Sequence, residues 1–248
     1  MRKLSENETF REERQKLKDL KGRKKIQYIW DYYKIPILVV LAVVIGVSSY
    51  VRTILSEKEA VLYTTVVDME YDEALAKKMD TDFVSDCLGL NPSRQEVFLS
   101  PTTFFTEEEA DMNIQYAIAL QTRTLADLSA HRMDVVLMDQ KALDGYAGEG
   151  YLMDLDTFLS EQEPALLDEL QPFLTRATVI LSDNQSEVLL NEELEYEAVT
   201  EEQAVGINVS DWPFFADAGL PAPLYLGIIN NSERPEMVLQ YLHYLLGK

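Results

Sequence analysis

Hydrophobic residues are distributed along this 248-residue chain in two very different ways. From Ile35 to Val51, IPILVVLAVVIGVSSYV, they form one run without an ionisable residue. At about 1.5 Å of rise per residue, a helix of this length comes close to crossing about 30 Å of hydrocarbon. Tyr32 and Tyr33 on one side and Arg52, Ile54 and Leu55 on the other extend it toward both interfaces. The run predicts a transmembrane helix, placed at 35–55. The competing reading is a cleaved signal peptide, for which Val47-Ser48-Ser49 supplies small residues of the required type. A long, helix-prone leader that mixes acids with bases argues against it.

Beyond residue 56 the apolar positions become periodic. Ala60 to Val67, AVLYTTVV, is β-branched and aromatic as strands are, and it ends at the acidic turn Asp68-Met69-Glu70-Tyr71-Asp72. Leu75, Met79, Phe83 and Cys87 then recur every four residues, which predicts a helix with the cysteine against the core. Gly89, Asn91 and Pro92 end that helix, and Glu96 to Ser100 reads as a second strand. Thr106 with Glu109 forms a capping box that opens a helix to about Ala130, with Ile114, Ala117, Ile118, Leu125 and Leu128 as its buried face.

Met133 to Met138 reads as a short buried strand, followed by a helix from Gln140 to about Ala147 and by turns at Gly145, Gly148 and Gly150. Asp156 to Thr175 is helical with breaks at Pro164 and Pro172. Thr178–Leu181 and Glu187–Leu190 could pair as a hairpin around Asp183-Asn184, and Gln203–Val209 is a further strand. Leu224–Ile229 is a strand, and Pro235 opens a last helix to Leu246 with Val238, Leu242 and Leu245 inward. Alternation of strands and helices predicts an α/β domain with a mixed, helix-covered sheet.

Charge divides the chain at the apolar run. Residues 1–34 hold eleven Lys/Arg against six Asp/Glu, a net of +5, whereas 35–248 hold eleven against thirty-seven, a net of −26. Basic residues beside a span stay cytoplasmic, so the expected order is a cytoplasmic juxtamembrane helix (1–34), the transmembrane helix (35–55) and an extracytoplasmic acidic α/β domain (56–248). Arg23, Lys24, Lys25, Trp30, Tyr33 and Lys34 are the expected contacts with the cytoplasmic membrane interface. An acidic domain is repelled by phosphate backbones, which excludes nucleic acid as its expected partner. The single Cys87 allows no intramolecular disulfide, and no cysteine follows the apolar run for lipid attachment.

Two segments resemble the extracellular solute-binding proteins of the maltose-binding-protein type. His131 to Leu155, HRMDVVLMDQKALDGYAGEGYLMDL, is similar to the family's long helix, Asp-Val-hydrophobic strand, short helix and Gly-x-Leu-x-x-Leu turn, with Gly150, Leu152 and Leu155 at the turn. Leu226 to Leu246, LGIINNSERPEMVLQYLHYLL, is similar to its final strand, Asn/Ser turn and Pro-Glu opening of a C-terminal helix. Together they cover about 45 residues. Family members close two lobes on a ligand, but only about 70 residues separate Asp154 from Leu224. The resemblance implies one lobe of a periplasmic-binding-protein type 2 fold, membrane-anchored and accessory to a transporter, with a solute or a membrane protein as partner.

No motif points to enzymatic chemistry. There is no phosphate-binding loop, nucleophile elbow, His-Glu-x-x-His or cysteine pair, so neither an enzyme nor a cofactor is expected. Asp68, Glu70 and Asp72 alternate as in a calcium loop, but Glu73 and Met79 occupy its glycine and bidentate-carboxylate positions, so an EF-hand is rejected. His131 and His243 sit near helix ends, where a structural role is expected. Open α/β sheets bind ligands beyond the carboxyl ends of their strands, which nominates Asp68, Glu70 and Tyr71 after the first strand and Asp139 and Gln140 after the Met133–Met138 strand. Trp212, with Phe214 and Phe215, is either a stacking platform or a hydrophobic plug. The alternative function is a structural or assembly protein whose outer domain is a protein-interaction surface.

Overall fold

The computed structural model describes residues 30, 34–36, 38–49, 58–104, 114–191 and 194–248. It has two compact units, Met1–Glu57 and Lys58–Lys248. In the first, residues 30, 34–36 and 38–49 are helical and exposed, including Ile35, Leu38, Val39 and Ile45. Among the described residues no helix is long and apolar enough to cross a membrane. Of the expected interface contacts, Trp30 and Lys34 are helical and exposed, while Arg23, Lys24, Lys25 and Tyr33 lie outside the described residues. The Thr106 capping box lies outside them too.

The second unit is an α/β domain built on a six-stranded mixed sheet. Its strands are β1 (Glu59–Val67), β2 (Gln95–Thr102), β3 (Val135–Met138), β4 (Leu174–Asp183), β5 (Ala198–Asn208) and β6 (Tyr225–Ile228). Its helices are α1 (Glu73–Lys77), continued by a π-helical stretch Lys78–Cys87, then α2 (Ile114–Ser129), α3 (Gln140–Gly148), α4 (Leu155–Gln162), α5 (Pro164–Leu170), α6 (Gln185–Leu190) and α7 (Pro235–Leu245). The sheet order is β2-β1-β3-β6-β5-β4. β1 runs parallel to β2 and β3, while β6, β5 and β4 are each antiparallel to their neighbours.

β3 is buried along its whole length, as an unbroken apolar strand at the centre of a helix-covered sheet must be. Period-two alternation assigns Val135 and Leu137 to one face with Leu62, Val66 and Ile207, in the core formed with Phe83, Leu159, Leu170 and Leu242. Val136 and Met138 point to the other face, where Val67 and Val205 meet Leu143, Tyr146 and Leu128. The inward positions Val238, Leu242 and Leu245 of α7 are buried, as the spacing predicts, and Tyr241 joins them.

Four sequence expectations are corrected. Cys87 is exposed, not core-facing. The helix widens to i→i+5 bonding, seen in Leu88 N–H donating to Phe83 O at 3.0 Å, so a four-residue step from Phe83 falls short of a full turn. On α2 only Leu128 of the predicted inward face is buried; Ala117 is half-buried, and Ile114, Ile118 and Leu125 are exposed. The half-buried side runs through Leu120, Thr124 and Asp127, so the helix is rolled by roughly 80° from the predicted orientation. Glu187–Leu190 is helical, and β4 pairs with β5 instead. Asn184 explains this: its Oδ1 accepts Glu197 N–H at 2.8 Å and its Nδ2 donates to Glu195 O at 2.9 Å, closing the loop on a later strand. Gly145 and Gly148 are not turn residues but lie within α3, whereas Gly150 is in the turn that follows.

Candidate functional site

The three parallel strands deliver their carboxyl ends to one side of the sheet. Thr64 is level with Val135 and Val66 with Leu137, so β1 and β3 end side by side, with Asp68 following one and Asp139 the other. Two of the residues nominated from sequence thus follow neighbouring parallel strands. Both spend their carboxylates on backbone. Asp68, in the left-handed region at φ 54°, donates its N–H to Thr102 O at 3.0 Å and accepts Phe104 N–H on Oδ2 at 3.1 Å. Asp139 caps α3 by accepting Ala142 N–H at 2.9 Å.

Phe104, whose N–H is held by Asp68, packs its ring on α3. A Cβ built on Gly145 would lie 2.0 Å from the tip of the Phe104 ring, so glycine is what lets the ring lie against α3. The same ring packs tilted on Tyr146 at 5.9 Å, and Tyr146 meets Tyr151 edge-on at 5.8 Å. Burial pushes the Tyr146 hydroxyl up to about 12, partly offset by its hydrogen bond with Thr124. The unfolded tyrosine ionises near 10, so this residue's contribution to stability is complete below about pH 10 and lost by about pH 12. Wild type should lose on the order of 2 kcal/mol more than Tyr146→Phe between pH 9 and 12 in urea unfolding, and equal losses would refute the assignment.

The other nominated residues lie elsewhere or are otherwise engaged. Gln140 donates to Asp144 at 2.8 Å. Glu70 is exposed, and Tyr71 is half-buried, its hydroxyl pushed up by burial. Trp212 is buried in the core with Phe215 and meets Phe173 edge-on at 6.3 Å, so it is part of a plug and not a stacking platform. Its Nε1 is buried without a hydrogen-bond partner. His243 sits in the last turn of α7 against Glu163 at 3.0 Å, and His131 Nδ1 lies 2.9 Å from Asn231 O, both holding structure.

An open groove of about 510 Å³, which sequence reasoning missed, runs between the helix that follows β1 and the edge strand β2. Glu73, Lys77, Asp80 and Thr81 line one wall and Glu96 to Leu99 the other. Asp80 Oδ1 accepts Val97 N–H at 2.7 Å, and Gln95 N–H donates to Asn91 O at 3.0 Å. Pro101 has no N–H, so these outward donors of β2 are blunted against an added strand. Local spacing shows β2 as a strand but neither its place at the sheet edge, which long-range pairing sets, nor the π-helix, which packing against Tyr241 and Tyr244 accompanies. Lys77 is committed to Asp82 at 2.5 Å. Among the described residues no group of three or more His, Cys, Asp or Glu could hold a metal ion.

Comparison with known proteins yields no relative. No family model matches the chain, and no curated protein and no solved structure is significantly similar to it. Function therefore has to be argued from this chain's own surfaces.

Proposed function

We propose that the chain is a non-enzymatic, single-pass protein of the cytoplasmic membrane that holds its acidic α/β domain outside the cell as a recognition domain. In this reading the N-terminal arm is cytoplasmic, the 35–55 run is the anchor, and the domain is a relative of one solute-binding-protein lobe that has turned to protein contacts. Helicity and exposure of the apolar residues 38–49 support the anchor, as does the change of net charge from +5 to −26 across it. The elements of both resembling segments support the lobe: a long helix, β3, α3 and the Gly150 turn in one, and β6, a turn and α7 in the other. The single compact unit at Lys58–Lys248 fits one lobe rather than two.

The observation that carries protein contacts over solute capture is that Asp68 and Asp139, the carboxylates nominated at the strand ends, are both spent on backbone N–H groups. Exposed apolar residues stand instead on α2 and on the β4–β5 arm, where Leu181, Leu190, Tyr196 and Val199 project among carboxylates. The test is thermal unfolding of the full-length chain in detergent against sugars, peptides and divalent cations. No shift is expected. A solute present at one hundred times its dissociation constant would add about 2.7 kcal/mol, and such a shift would return the groove beside β2 to solute binding. Intact mass of the membrane-bound protein tests the anchor: a mature N-terminus near Tyr50 rejects it.

A further inference from the structure

We infer that the β4–β5 arm is the docking surface for a basic segment of another protein, one that carries apolar side chains among its lysines and arginines. The arm consists of the outer end of β4, α6 and the start of β5. At its inner end β4 buries Ala177 and Val179 in the core. Further out, Leu181 is 54% exposed, Leu190 on α6 is 90% exposed, and Val199, level with Ser182, is 60% exposed. The loop between the strands is tied down, because Asn184 Oδ1 accepts Glu197 N–H at 2.8 Å and the Tyr196 hydroxyl donates to Asp183 at 3.2 Å. A surface fixed beforehand has less freedom to lose when a partner arrives.

The chemistry of the occupant follows from charge. From Asp183 to Glu202 the chain holds eight carboxylates and no lysine, arginine or histidine, nearly a third of the net −26 of residues 35–248. Glu187, Glu195, Glu197 and Glu201 are exposed there, and Arg176 at the foot of the arm is paired with Asp156. A second copy and an anionic lipid surface are both repelled by such an arm. A metal ion does not supply the counter-charge, because among the described residues no three His, Cys, Asp or Glu converge to hold one. A small organic cation would leave Leu181, Leu190 and Val199 in water. A basic segment with apolar side chains covers those residues and meets the carboxylates around them, the arrangement of an apolar centre within a polar rim. In the reading above, the chain's own basic residues 1–34 lie across the membrane, which makes the partner a different protein.

The inference rests on the protein-contact reading and names the partner's chemistry. Its test is the fluorescence anisotropy of labelled peptides with the full-length chain in nonionic detergent, at about 0.15 M salt, where exposed charges are screened beyond about 8 Å. Unlike the small solutes of the thermal screen, peptides of about eight residues span the arm. Alternating lysine and leucine should bind several-fold tighter than alternating lysine and serine of equal charge, and alternating glutamate and leucine should not bind. The double substitution Leu181→Ser with Val199→Ser should erase the preference for leucine. Glu195→Gln, Glu197→Gln and Glu201→Gln together should weaken binding several-fold more than Glu70→Gln, Glu161→Gln and Asp168→Asn together, three exposed carboxylates placed elsewhere on the domain. All these positions are exposed, and an unchanged melting temperature verifies that each variant folds. Equal binding of the serine peptide, indifference to the Leu181 and Val199 substitutions, or equal loss in the two triple variants would each overturn the inference. A solute-induced thermal shift would reject the protein-contact reading itself, whereas failure of the peptide tests without such a shift rejects only the arm as its surface.

Discussion

Asp134→Ala should lower the stability of the α/β domain by about 3–5 kcal/mol, the cost of removing one partner from a buried charged network. Asp134 is fully buried just before β3, and its two oxygens reach β1 and the turn between β6 and α7. Oδ2 accepts Tyr63 N–H of β1 at 2.9 Å, while Oδ1 accepts the Ser232 hydroxyl at 2.6 Å and lies 3.4 Å from Arg234 Nη1. The same guanidinium donates to His131 O at 3.0 Å and lies 4.8 Å from the centre of the Tyr63 ring. Alanine would strand a strand amide and an arginine together, and the β6–α7 turn would lose its tie to the sheet. At about 2–4 °C per kcal/mol for a domain of this size, the melting temperature should fall by about 10 °C. Asp134→Asn, which keeps an acceptor, should fall less. A loss below about 1 kcal/mol for alanine would refute this account of the network.

That aspartate opens the Asp-Val-hydrophobic strand read from the sequence, so its place was legible while its partners were not. Elements whose signal is local were legible in general. AVLYTTVV became β1, the Met133–Met138 run contains β3, and Pro235 opened α7 with its predicted inward positions. Failures came where distant residues decide. Apolar residues on α2 span a wider arc than the domain buries, so periodicity alone could not choose between Ile118 and Leu120 as the inward side. Glu187–Leu190 has residues fit for a strand, but Asn184 anchors the chain to residues 195–197 and leaves α6 as an insertion.

The candidate site was half legible for the same reason. Strand ends located Asp68 and Asp139, but the Phe104 ring, whose backbone Asp68 holds, is admitted against α3 by the missing Cβ of Gly145, forty-one positions away. Trp212 illustrates the opposite confusion. An aromatic cluster serves equally well as a platform or a plug, and only its burial against Phe173 decides. The groove beside β2 depends on a helix whose bonding changes type midway, which no apolar spacing announces.

Phe83→Ala should cost about 3–5 kcal/mol, and its consequences should reach the sheet edge. Phe83 is fully buried in the π-helical stretch, edge-on to Tyr241 at 4.8 Å and tilted against Tyr244 at 5.2 Å. Those tyrosines satisfy carbonyls at the start of the stretch: Tyr244 donates to Lys78 O at 2.8 Å and Tyr241 to Met79 O at 3.3 Å. The aromatic ring and the two hydroxyls together hold the wide turn against reversion to ordinary α-helix. That turn sets Asp80 where its carboxylate caps Val97 N–H. Loss of Phe83 should therefore speed hydrogen exchange at Val97 more than global destabilisation accounts for. Tyr244→Phe removes one hydrogen bond of a half-buried hydroxyl and should cost only about 0.5–1.5 kcal/mol. Unchanged protection at Val97 in the alanine variant, relative to the global loss, would separate the π-helix from the edge strand and refute the coupling.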